Sequence, residues 1–366
     1  MPVPAASKIA AALAPYRWPE AAVQTITDIV RGEKFAGVLD VNHVKKLVTQ
    51  SGQELPAVML HLTAVAALYA LPPISDFFVG AVARGKSGKL YFGCNMEFDG
   101  LPLSFCSHAE QNATVNAWVH GETRILFLAV NAAPCGYCRQ YLYEISPADY
   151  LPIVILASRK APYVTMPLTE LLPLAFGPSD LGVDRTLLEP RPKHLKVSSD
   201  DPVVEAALAA ADLSYAPYTK SYSGLALYLN AGPIVAGPLS ENAAYNPSYS
   251  PLHAALFLMN IAGHEYDDIG QAVLVEAPKP LISQLEVSNT ILRTVAPDVT
   301  LEYVTARYRA GGGYGVGEDG VLVDNADYDN GEDDDDLDDL DDLEVGELKD
   351  LPGLDEIDPD LKPPRR

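Results

Sequence analysis

His108 and Glu110 stand together in HAEQNA, and Cys135 and Cys138 flank Gly-Tyr in PCGYC. A Cys-x-x-Cys pair alone also marks redox motifs and half zinc ribbons, so its surroundings decide its reading. Here the pair opens an expected helix just after Pro134. Spacing of three puts both sulfurs on one face, and in a first turn the helix dipole and free N–H groups favour the thiolate that binds metal. His108 begins the other helix of the same unit, and each helix follows a strand end on the same side of the sheet. A Cys₂His set leaves tetrahedral zinc one open position, the arrangement of a catalytic metal. On a regular helix Glu110 would not share the histidine's face as a ligand. It is better placed as an acid/base beside a metal-held water whose pKa zinc lowers towards neutrality. Cys106, in Cys106-x-His108, offers a fourth ligand that would close the site and leave Glu110 without a task.

The elements that must position these residues are legible from periodicity. Up to about residue 70 apolar positions recur at three and four, in AAVQTITDIV, VNHVKKLV and LPAVMLHLTAVAALYAL. The period then changes: FFVGAVARG and KLYFGCNMEF read as two strands around a turn at Lys86-Ser87-Gly88. A helix from about Ser107 to His120, a strand RILFLAV, a helix from about Cys135 and a strand PIVILAS follow. The order β-β-α-β-α-β predicts an α/β layered domain with a mixed sheet and packed helices.

The same order returns roughly 145 residues later in SGLALYL, PIVAGPL, SPLHAALFLMN, QAVLVE, ISQLEVSNTIL and VTLEYVTARY. Gly224 falls where Gly80 falls, and His253-Ala254 where His108-Ala109 falls. Ala255 then stands in place of Glu110, and EAPKPLIS holds no cysteine, so the second unit is chemically incomplete. The expected organisation is an N-terminal helical segment (1–50), a catalytic zinc domain (51–160), a connector (161–200), a degenerate metal-free domain (201–309) and an acidic disordered tail (310–366).

Composition excludes several function classes. The chain has 49 acidic against 26 basic side chains and a net charge of −23, and beyond Glu318 acids outnumber bases by roughly five to one. Without a basic stripe, binding to nucleic acid is not expected. The longest apolar run is broken by His61 and Thr63 and ends in two prolines, so no membrane span is expected; the N-terminus lacks the pattern of a secretory signal. All four cysteines lie within about 45 residues, which suits a reducing compartment and a local chemical role, hence the cytosol.

Taken together, H-x-E and P-C-x-x-C are a signature of zinc nucleobase deaminases. With FFVGAVARGKSGKLYFGCNMEF, HAEQNATVNAW, APCGYCRQYLYEI, LLPLAFGPSDLG and ENAAYNPSYSPLHAAL, the chain resembles the cytidine deaminase family, in its two-domain plant and enterobacterial type, over roughly residues 20 to 308. The resemblance implies two tandem cytidine-deaminase-like α/β/α domains. It implies hydrolysis of cytidine and 2′-deoxycytidine to uridine and 2′-deoxyuridine with release of ammonia. One Zn2+ per chain would be held by His108, Cys135 and Cys138. Zinc-bound hydroxide would attack C4 while Glu110 shuttles protons, and the backbone of Ala109 would help hold the base. Asn95 and Glu97 match the pair that binds the ribose 3′-hydroxyl, consistent with side chains at i and i+2 of a strand pointing one way. A carboxylate there disfavours a 3′-phosphate, so the expected partner is a free nucleoside. Phe77 matches the aromatic residue that packs on the pyrimidine. The resemblance also implies a homodimer whose active sites are completed across the interface, and a His253 that binds no zinc. The acidic tail, and Tyr137 where relatives often carry His, depart from the pattern.

Overall fold

The computed structural model describes residues 3–145, 153–156, 163–189, 191–230, 232–309, 314–316 and 322–324. The expected disordered tail lies outside these residues except for 314–316 and 322–324, which pair antiparallel.

The first unit is built on a six-stranded mixed sheet. Strands β2 (Gly80–Gly85) and β3 (Leu90–Cys94) form the expected hairpin. β4 (Ile125–Val130) pairs antiparallel with β2, β5 (Ile153–Leu156) runs parallel to β4, and β6 (Val164–Pro167) closes that edge. At the other edge β1 (Val38–Leu39) pairs with β3. The segment 1–50 is therefore not helical throughout. Its helices α1 (Ala6–Leu13), α2 (Glu20–Val30) and α3 (Val41–Ser51) lead into α4 (Leu55–Ala66).

Alternation along the strands decides the layers. Val82, Phe92 and Ala129 join Val58, Leu62 and the N-terminal helices on one face. Ala81, Ala83, Leu128 and Val130 join α5 (Ala109–Val119) and α6 (Gly136–Leu142) on the other. α5 is buried along almost its whole length, from Ala109 to Trp118, so an apolar stripe is not what holds it. Asparagines do part of that work: Asn112 Nδ2 donates to Cys94 O (2.7 Å) and Asn116 Nδ2 to Phe92 O (2.9 Å), tying the helix to β3. Gly93 allows this approach, because a Cβ there would stand 2.2 Å from both Ala109 O and Ala113 N.

Between the units stand α7 (Leu168–Leu171) and β7 (Leu195–Lys196), and the second unit then repeats the plan: α8 (Pro202–Leu213), β8 (Ser223–Leu229), β9 (Ile234–Pro238), α9 (Pro251–Ile261), β10 (Ile269–Glu276), α10 (Leu285–Val295) and β11 (Leu301–Thr305). Its sheet order β11-β10-β8-β9 matches β5-β4-β2-β3 in the first. Gly224 is the counterpart of Gly80 for a physical reason. A Cβ on either would meet helix backbone, at 2.2 Å from Ala211 N and 2.0 Å from Thr63 O respectively. Both core clusters on the first sheet contain residues of both units, including Leu225 and Leu256 in one and Tyr215 and Tyr249 in the other.

One expected equivalence is corrected. His253-Ala254 does not occupy the place of His108-Ala109. Gly93 abuts Ala109 O and Ala113 N, whereas Gly237 abuts Pro251 O and Ala255 N. His108 caps α5 and Ser250 caps α9. Ser250 is thus the counterpart of His108, and Leu252, not Ala255, that of Glu110. A two-residue match is too short to set register; the cap and the glycine contact set it. His253 falls one turn into its helix, as Gln111 does, and is a core residue bonded to Ser250 and to Phe105 O.

Two buried histidines make stability depend on pH. His61 accepts from Trp18 Nε1 at Nδ1 (3.0 Å) and stacks on Tyr16 with centroids 4.0 Å apart, pinning the N-terminal segment to α4. Burial lowers the pKa of both His61 and His253 to about 4. The unfolded chain binds protons below about 6.5 while the folded chain does not, so stability is full above that pH and falls as pH drops towards 4. The loss is on the order of 3 kcal/mol per histidine. A urea midpoint that fell between pH 7.5 and 4.5, and fell less in His61→Gln, is the expected result; equal slopes in both proteins would contradict it.

Candidate active site

Two helix starts meet where β3 and β4, the interior strands on either side of β2, end on the same side of the first sheet. The chain leaves β3, bridges through Met96 to Ser107 and enters α5 with His108 as its N-cap, in extended conformation (φ −99°, ψ 152°). It leaves β4 and enters α6 with Cys135 as N-cap, also extended (φ −69°, ψ 167°). His108 Nδ1 lies 3.2 Å from Cys138 Sγ and 3.5 Å from Cys135 Sγ, and the two sulfurs are 3.5 Å apart. These three form the group of metal-ligating atoms among the described residues. A tetrahedral zinc with bonds of about 2.0–2.3 Å needs donors separated by roughly 3.5–3.8 Å, so one imidazole and two sulfurs this close fit the ion with small outward shifts. Cys106 is not among them, so the group has three protein donors.

The electrostatics fit the same use. The pKa of Cys135 is lowered to about 3, chiefly by its hydrogen bond with Cys138 and also by His108. Cys138 is correspondingly raised, as partner in that bond and by burial. His108 is raised, most by its bond to Cys135. Glu110 is 4 % exposed, and burial raises its pKa. Its charge is felt at His108 and at Cys138, which places it beside the metal group but not within it. Because His108 is a cap and not a helical residue, the spacing of two does not separate it from Glu110 as a regular helix would.

The expected substrate-contacting residues converge on one loop. Phe77 and Val79 lie before β2, not in it. Asn95 Oδ1 accepts from Val79 N (2.8 Å) and Asn95 Nδ2 donates to Phe77 O (2.9 Å), which replaces ladder bonds there. Glu97 accepts from Ile74 N and Ser75 N, both at 2.9 Å, and from Ser75 Oγ. Asn95 and Glu97 stand beyond the end of β3, yet both reach the loop 74–79. Phe77 is 37 % exposed and so is not a core residue. The charge of Glu97 is felt at His108 and Cys106, which places this loop beside the metal group. Ala109 is fully buried as the first residue of α5, where a backbone N–H has no intrahelical partner.

Sequence reasoning missed the residues that join the site to the second unit. Gln111 Oε1 accepts from His108 N (3.2 Å) and its Nε2 donates to Pro247 O (3.3 Å). Tyr137 donates to Asn246 O, and Tyr249 to Asn112 Oδ1. Buried Glu144 accepts from Tyr215 (2.8 Å), from Tyr218, and from Ala243 N (3.0 Å). Gln111 and Asn112 were visible in HAEQNA, but their partners lie more than 130 positions away.

Known deaminases resemble this chain in sequence over both units. The zinc-binding region of cytidine and deoxycytidylate deaminases matches twice, over residues 54–152 and 168–289. A cytidine deaminase of Aliivibrio fischeri is 40% identical over 287 residues, 78% of this chain and 95% of its own. One of Photobacterium profundum is 43% identical over 274 residues, 75% of this chain and 88% of its own. The crystal structure of cytidine deaminase from Burkholderia pseudomallei aligns with 32% of this chain and 97% of that one, at 29% identity and a TM-score of 0.29.

Proposed function

Because the chain belongs to the cytidine and deoxycytidylate deaminase family, we propose that it converts cytidine and 2′-deoxycytidine with water to uridine and 2′-deoxyuridine and ammonia, using one zinc ion per chain. The observation that carries this reading is the convergence of His108, Cys135 and Cys138 beside buried Glu110. Zinc supplies a Lewis acid that brings the pKa of water towards neutrality. Glu110, whose pKa burial raises, would take a proton from water and give it to N3 of the pyrimidine, then take a second from the hydroxyl at C4 and give it to the departing amine. The free N–H at Ala109 holds the base, and Phe77 packs against it. Asn95 and Glu97, which also hold the loop 74–79, would bind the ribose 3′-hydroxyl. Conversion of cytidine by purified protein containing about one zinc per chain tests the reading; zinc-loaded protein inert towards both nucleosides would reject it.

Asn95→Ala frees Phe77 O and Val79 N from their only side-chain tie described above, so the expected effect is on binding: KM rises about tenfold while kcat changes little. A fall in kcat with KM unchanged would instead make Asn95 part of the chemistry.

A homodimer is supported by large apolar side chains left in solvent, among them Leu103 (71 %), Leu174 (fully exposed) and Phe176 (46 %); sedimentation at a single-chain mass would reject it. Four unpaired cysteines support a reducing location such as the cytosol, and no helix among the described residues is long and apolar enough to cross a membrane. Units of 51–160 and 201–309 are supported by the repeated strand order.

A further inference from the structure

The metal-free unit keeps the outline of a site. Glu241 accepts from Tyr218 N (2.9 Å), Thr219 N (3.1 Å) and Thr219 Oγ1, as Glu97 does from Ile74 and Ser75. The next residues, Lys220 and Asp76, both turn to positive φ, 58° and 51°. Gln111 Nε2 reaches Pro247 O, and in return His253 Nε2 reaches Phe105 O (2.6 Å). Each helix start therefore closes on the loop that precedes the other, an approximate twofold arrangement of the two units.

Beside Ser250 and Glu241 lies a cavity of about 580 Å³, well inside the range of small-molecule pockets. Its walls include Tyr218, Leu239, Tyr249 and Ile282 of the second unit with Phe105 and Tyr137 of the first. Such walls suit a flat heterocycle. Glu241 is 3 % exposed and has three donors on a carboxylate that takes about four, leaving capacity for one hydroxyl. The means of reaction are gone, since Ser250 and Leu252 stand in for His108 and Glu110 and the unit has no cysteine.

We propose that this cavity binds a pyrimidine nucleoside without metal and without turnover, as a second site beside the catalytic one. The ligand class rests on the deaminase reading. Tyr137, between the two cysteine ligands in the chain, forms part of the cavity wall, so an occupant touches the segment that carries the zinc.

Equilibrium dialysis of the full zinc-loaded chain against labelled uridine counts the sites. Two uridines per chain are expected, falling to one in Ile282→Trp, which fills the cavity from a position 42 % exposed. Val287→Trp, entering from α10, should give the same count. Cytidine turnover within about twofold of the parent shows that both variants fold. A count of one in the parent that neither variant changes overturns the proposal, as does a count of two that both retain. Turnover on the same preparation tests the deaminase reading separately. A chain that never converts cytidine, yet binds one uridine that Ile282→Trp removes, would keep this site and reject that activity.

Discussion

Glu110→Gln is expected to lower kcat for cytidine by about 10³- to 10⁴-fold with zinc retained at about one per chain. The amide matches the carboxyl in size and fills the same buried position, so neither the helix nor the metal group is disturbed. It cannot take a proton from water or give one to the pyrimidine ring, and both transfers are required for the amine to leave as ammonia. The carboxylate lies close enough for its charge to be felt at Cys138 and is nearly excluded from solvent, so water has little access to replace it. Metal analysis beside the rate measurement makes the result decisive. A variant that kept zinc and retained a tenth or more of parental kcat would remove Glu110 from the proton path.

Cys138→Ser should abolish activity by a different route, through loss of the metal. Cys138 is fully buried and its sulfur stands within 3.5 Å of both other ligand atoms. A hydroxyl there is a poor anionic ligand, and the surviving His108–Cys135 pair has too few donors for tight binding. Zinc content should fall to near zero after dialysis against a chelator, with kcat at least about 10³-fold lower. Thermal stability should fall as well, because an ion that binds only the folded chain stabilises it. Cys106→Ser is the matched control. Its sulfur is outside the ligand group, so zinc should stay and the rate should change by less than about threefold. Zinc loss in Cys106→Ser would mean that the site closes with four protein ligands.

The pattern of strands and helices was legible because each element carries its own period and its own stop signals. β2, β3, α5, β4 and α6 lie where alternation and the HAEQNA and PCGYC starts put them. The ligand triad was legible for a related reason: two short motifs, each at a helix start, need no long-range information beyond the sheet that joins them. Phe77 shows the limit. It reads as a strand residue, but the side chain of Asn95 takes over the backbone bonds around it, and periodicity cannot register a bond made by a residue just past the end of the next strand. His253 shows another. An identical dipeptide suggested a counterpart to His108, while the close contact of Gly237 with α9 sets the register three residues away.

What the sequence by itself determined is local chemistry: which side chains stand at spacings that could ligate zinc, where a carboxyl stands beside them, and that the second unit carries neither at the matching places. Those are properties of side-chain types at short spacing, and folding does not alter them. Tertiary structure alone decided what lies between the units. Gln111 meets Pro247, Tyr249 meets Asn112, Glu144 gathers Tyr215 and Tyr218, and a cavity remains around Ser250 and Glu241. Each of these contacts joins residues about 70 to 140 positions apart. A buried polar group must find a partner wherever the packed chains bring one, and the identity of that partner is written in the packing of two sheets, not in the neighbourhood of either residue.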